Sequence, residues 1–99
     1  MVLCILSGYD ISRLEVASQI AEKSPKTKVV LLSDALYLVF DKKNNEKVKK
    51  MLGNGVLFYA LDSDVAKRGL KVASETVVLI TYDLLVELLL HNEDGIVNL

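Results

Sequence analysis

The sequence is short of the residues that most often carry chemistry. It has one cysteine, Cys4, and one histidine, His91, among 99 positions. A lone cysteine excludes an internal disulfide and fits a reducing, cytoplasmic setting. One thiol and one imidazole cannot close a zinc site by themselves. No uninterrupted apolar run approaches the roughly 18 residues that a bilayer span requires. Residues 1–6 lack the basic and extended apolar regions of a secretory leader. Neither a G-x-G-x-x-G fingerprint nor a Walker lysine is present, and no cofactor is implied. An excess of one charge is missing too: 12 Lys plus Arg against 13 Asp plus Glu leave a formal net charge of -1. A chain so balanced has no overall pull toward nucleic acid or an anionic membrane, and direct contact with either is not expected.

Apolar material is plentiful. Hydrophobic residues make up 52% of the chain and charged residues 25%, enough to build a core and to exclude disorder. The length suits a single domain over residues 1–99. Short apolar runs predict strands at residues 2–6, 28–32, 56–61 and 76–80. Leu14, Ala17, Ile20 and Ala21 recur at helical spacing, which places a helix from Ser12 to about Lys23. Ser12 and Glu15 have capping-box spacing at its start, and Pro25 stops it. Asp34 is expected to cap a helix beginning near Ala35, and Asp62 a short one over residues 63–68 that Gly69 ends. Gly53-Asn54-Gly55 marks a turn. Thr81 or Asp83 caps a last helix, residues 84–91, with Asn92 and Gly95 at its end, and residues 96–99 offer a short edge strand. This alternation predicts an α/β fold: a small three-layer sandwich with a mainly parallel four- or five-stranded sheet.

Parallel strands bring their carboxyl ends to one edge, where ligands bind. Gly8, Asp34, Asp62 and Tyr82 are the candidate binding residues there, and two of them double as caps. No nucleophile with a base is placed, so enzymatic activity is not expected. Cys4 lies inside an apolar strand, where burial raises a thiol pKa and silences it. His91 falls at the end of the last helix, where the dipole favours a cation. The five lysines of residues 42–50 read as a solvated helix face, without the interleaved aromatics and arginines of an RNA-binding surface.

Residues 35–40 and 84–90 are apolar on almost every side. A helix hydrophobic all round is buried all round, and 99 residues offer little else to cover it. Leu36, Tyr37, Phe40, Leu85 and Leu89 are therefore expected at a subunit interface.

Three segments, in order, resemble one known family. They are Val29-Val30-Leu31-Leu32-Ser33-Asp34-Ala35-Leu36-Tyr37, then Phe58-Tyr59-Ala60-Leu61-Asp62-Ser63-Asp64-Val65-Ala66-Lys67-Arg68-Gly69-Leu70, then residues 76–91 with Tyr82-Asp83 ahead of Leu84-Leu85-Val86-Glu87-Leu88. Together they are similar to the DsrH/TusB family of sulfur-relay proteins within the DsrE/F/H-like superfamily. Asp64, Arg68 and Gly69 carry the most specific motif. The resemblance implies a DsrE/F/H-like fold and assembly with DsrE-like and DsrF-like (TusD- and TusC-type) subunits, or self-association. It implies a place in passing persulfide sulfur toward 2-thiouridine at the tRNA wobble position, or in sulfur oxidation. The sulfur-carrying cysteine of such complexes belongs to the DsrE/TusD-type partner. Some members have a cysteine in the first helix; the matching stretch here, around Ser18 to Ile20, has none. A non-catalytic subunit follows as the expected role, with a stand-alone homo-oligomeric small-molecule binding module as the alternative. Asp64 and Arg68, four apart, are expected to pair on one helical face and to fix the third helix.

Overall fold

The computed structural model describes residues 2–24, 26–70, 76–91 and 95–99. Five strands form one sheet: β1 (Leu3–Leu6), β2 (Lys28–Leu31), β3 (Leu57–Leu61), β4 (Val77–Ile80) and β5 (Ile96–Asn98). Their order is β4-β3-β2-β1-β5, and every pairing is parallel. The helices are α1 (Ile11–Lys23), α2 (Leu36–Phe40), α3 (Asn45–Gly53), α4 (Asp62–Lys67) and α5 (Tyr82–Leu90).

Side chains alternate across the sheet, and the register sorts them into two cores. Cys4, Leu6, Val29, Leu31, Phe58, Ala60 and Val77 pack with Leu14 and Ala17 of α1, Leu36 and Leu38 of α2, Met51 of α3 and Val65 of α4. The opposite face, with Leu3, Val30 and Ile80, meets Leu85, Leu88 and Leu89 of α5. Three layers result, one helical layer thick and the other a single helix. The topology requires this asymmetry. Strands β1 to β4 advance in one direction, so right-handed crossovers put α1 to α4 on one face. The return from β4 to β5 runs the other way and leaves α5 alone on the second face.

Several local expectations are corrected. The first helix starts one residue earlier than Ser12 and its cap is Asp10, whose carboxylate accepts from the Ser12 amide. The Ser12 hydroxyl donates to that same carboxylate instead of capping Glu15. The helix ends at Ser24, and Pro25 lies outside the described residues. Asn92, expected at the end of α5, lies outside them as well. The lysine-rich residues expected as a solvated helix face do form a helix, α3, but one separate from α2. Asp41 is extended and its carboxylate caps a 3-10 turn over Lys42–Asn44, so the path breaks and restarts as α3. By contrast, Thr81 caps α5 by accepting from the Leu84 amide. Gly69 adopts φ +62° just past α4, and the bonds from Gly69 N to Ala66 O and from Leu70 N to Val65 O form a Schellman closure.

The interface expectation changes most. Leu36 and Leu85 are buried within the protomer, and Phe40 and Leu89 are packed against its two cores. Of the five, only Tyr37 is exposed. The segment that looked too greasy to hide is covered within the protomer: Leu36, Leu38 and Val39 are buried in the larger core together with Leu14 and Ala17 of α1 and Val48 and Met51 of α3. The buried Asn44 side chain donates to the Leu38 carbonyl and pins the covering turn.

Candidate functional site

Because all five strands run the same way, the loops leaving β1, β2, β3 and β4 share one edge. The strand order reverses beside β1, which marks the loop after it as the place where an α/β sheet usually opens to ligand. Gly8 sits there, with no atom close to where a Cβ would project. Tyr9 follows, and its hydroxyl donates to Asp41 Oδ2 at 2.8 Å, tying this loop to the end of α2.

The loop after β2 is held from the side by α4. Ser33 adopts φ +52°, a left-handed conformation that a non-glycine residue takes only where its surroundings impose it. Its amide points to Asp64 Oδ2 at 3.4 Å. Next to it, Arg68 donates from a guanidinium nitrogen to Asp34 Oδ1 at 2.9 Å. The guanidinium also lies over the Tyr37 ring, 5.4 Å from its centre. Polar contact with the Tyr37 side chain, and then the Asp34 carboxylate, push Arg68 further up and fix its charge. Asp34 is thus not a helix cap: neither Ser33–Ala35 nor α2 has a side-chain cap. Asp64 and Arg68 do not pair with each other. They reach across to two adjacent residues of the β2 loop, and together they clasp α4 to that loop.

The remaining predicted residues do not join this cluster. Asp62 lies in the first turn of α4 without capping it, and its side chain is exposed. Tyr82 opens α5 and is 69% exposed. The edge therefore carries Asp10, Asp34, Asp41, Asp62 and Asp64 against Arg13 and Arg68. Both arginines are already engaged, Arg13 with Asp10 at 3.4 Å and Arg68 with Asp34. Lys43 adds a positive charge beside Asp41. Among the described residues, no three His, Cys, Asp or Glu side chains are grouped to hold a metal ion. The Tyr9–Asp41 bond and the strained Ser33 left no trace in the sequence. The Tyr37–Arg68 stacking joins two residues that had been assigned to separate roles.

The other candidates are quickly located. Cys4 is fully buried, and desolvation raises its thiol pKa. His91 is the C-cap of α5, and its amide donates to the Glu87 carbonyl. Two of the five lysines are spent on α1, Lys47 with Glu15 and Lys50 with Glu22. No helix among the described residues is long and apolar enough to cross a membrane.

Comparison with known proteins agrees with this geometry. A family model described as "DsrH like protein" matches residues 7–94. No curated protein matches the chain. Among solved structures, a conserved protein of unknown function from Bacteroides thetaiotaomicron superimposes with a TM-score of 0.82 at 13% identity, covering 99% of this chain and 93% of that one. The ychN protein from E. coli gives 0.79 at 14% identity, covering 99% and 97%. At such identities the likeness is one of fold.

Proposed function

The chain belongs to the DsrH-like protein family, and from that premise we propose that it is a non-catalytic subunit of a cytoplasmic sulfur-relay complex. It would assist DsrE-like and DsrF-like partners in passing persulfide sulfur toward tRNA 2-thiouridine or sulfur oxidation. One observation carries the non-catalytic part: the sole thiol is sealed in the centre of the sheet. Persulfide transfer needs an accessible thiolate to attack the terminal sulfur, forming one S–S bond as another breaks and the donor thiolate leaves. Cys4 is neither accessible nor inclined to ionise. The clasp of Asp64 and Arg68 on the β2 loop supports a fixed, presenting surface instead of a reacting one, since its charges are satisfied internally.

The test is affinity purification of the tagged full chain from its native cells, followed by labelling with a radioactive sulfur donor. Recovery of DsrE-like and DsrF-like chains, with label on a partner cysteine and none on Cys4, is the expected result. Recovery of neither partner, or label on Cys4, would overturn the reading. Loss of 2-thiouridine from tRNA on deleting this gene would select thiolation over sulfur oxidation.

A further inference from the structure

We propose that β4 is a self-association edge, where a second copy of this chain adds its own β4 in antiparallel pairing to make one continuous ten-stranded sheet. The proposal stands apart from the sulfur-relay reading and holds whether or not other subunits co-purify.

Strand β4 is the end of the sheet, bonded to β3 on one side only. No hydrogen bond from the described residues occupies its outer row, and that row is a template for another strand. Edge strands in stable monomers are blunted by charge, proline or brevity. Val77-Val78-Leu79-Ile80 has neither charge nor proline. Its two middle residues are both open to solvent, Val78 at 42% on the α5 face and Leu79 at 46% on the other. A lone apolar residue exposed on one face is ordinary. Exposure on both faces of one edge strand means that none of the described residues covers its end. The opposite edge differs. β5 has three residues and carries Asn98, a weak strand former.

Symmetry then favours a second copy as the occupant. A two-fold axis perpendicular to the sheet pairs side chains that share a face, so it must pass midway between the two copies of one β4 residue. Centred on Val78, it sets Val77 against Leu79; centred on Leu79, it sets Val78 against Ile80. Every pair within the strand is apolar against apolar, with no like charges opposed, so the strand is complementary to itself. The axis also places the exposed Leu57 and Val78 of the two copies on the same extended face.

Sedimentation velocity of the full chain, from about 1 to about 200 μM, tests this across the micromolar range expected of a small interface. The wild type should move from 11.0 kDa toward twice that mass. Leu79→Lys should stay monomeric throughout. Leu90→Lys, on an equally apolar but remote exposed position, should dimerise like the wild type. Amide exchange on the wild type gives a second reading that needs no variant: the outward β4 amides should exchange roughly tenfold more slowly at the high concentration than at the low one. A wild type that remains monomeric, a dimer that survives Leu79→Lys, a dimer abolished by Leu90→Lys, or β4 amides indifferent to concentration would each overturn the proposal.

Discussion

Cys4 shows how far environment decides a residue's chemistry. A thiol at the centre of an apolar strand loses both solvent access and the stabilisation of its charged form, and the second effect raises its pKa. In the native protein a thiol reagent at neutral pH should therefore leave Cys4 unmodified, and modification should track unfolding in a denaturant titration. Rapid labelling of the folded chain would contradict this. Asp10 and Asp41 are displaced the other way. Bonds from Ser12 hold Asp10 below the usual carboxylate range, and the Tyr9 hydroxyl with the Lys43 amide does the same for Asp41. The folded state holds those protons less tightly than the unfolded chain, so unfolding takes protons up. The resulting stability is complete above the ordinary carboxylate value of about 4 and is lost as pH falls through the lowered folded values. Thermal melts from pH 6 down to pH 2.5 should show a shallower loss of Tm in an Asp10→Asn, Asp41→Asn double variant than in the wild type.

At the scale of elements, α4 is the informative case. It is six residues long, too short to be stable through its own hydrogen bonds. What holds it is its ends and its neighbours: the Schellman closure at Gly69, Val65 in the core, and the reach of Asp64 and Arg68 to Ser33 and Asp34. Only glycine takes φ +62° without steric cost, so Gly69→Ala should destabilise the protein by about 1 kcal/mol. For a domain of this size that is a fall in Tm of roughly 4–8 °C by calorimetry. An unchanged Tm would mean that the closure is not what ends the helix. The motif of an aspartate and an arginine four apart, followed by glycine, is thus a device for docking a short helix onto a neighbouring loop.

For the whole molecule, the unequal cores set where stability resides. Phe58 is fully buried in the larger one, beneath α1 to α4, whereas Leu85 belongs to α5 itself, the single helix that covers the smaller one, and packs down onto Leu3, Val30 and Ile80. Phe58→Ala should cost about 3–5 kcal/mol, and Leu85→Ala nearer 2 kcal/mol because its thinner surroundings can settle into the space. Urea unfolding of the two variants compares them directly. Equal losses would show that α5 is more firmly seated than a single covering helix implies. The thin layer also explains the exposure of Leu57 and Val78 on the α5 face of the sheet; Leu79, on the other face, is open because β4 is an edge strand, and Ile11, Val16 and Ile96 are exposed elsewhere.

Local pattern by itself determined the strands, their parallel direction, the helix end at Gly69, a cap for α5 at Thr81 or Asp83, the edge strand at the chain's end and the burial of Cys4. Each of these depends on neighbours a few residues away or on the pleat's period of two, and both are written along the chain. Tertiary structure alone decided that Asp34 serves Arg68 instead of a helix end, that Tyr9 reaches Asp41, and that Leu36 and Leu85 are covered within one protomer. Those outcomes depend on which elements lie side by side after three crossovers to one face and one return across the other. A run of leucines records that it must be covered; what covers it is settled only when the layers close.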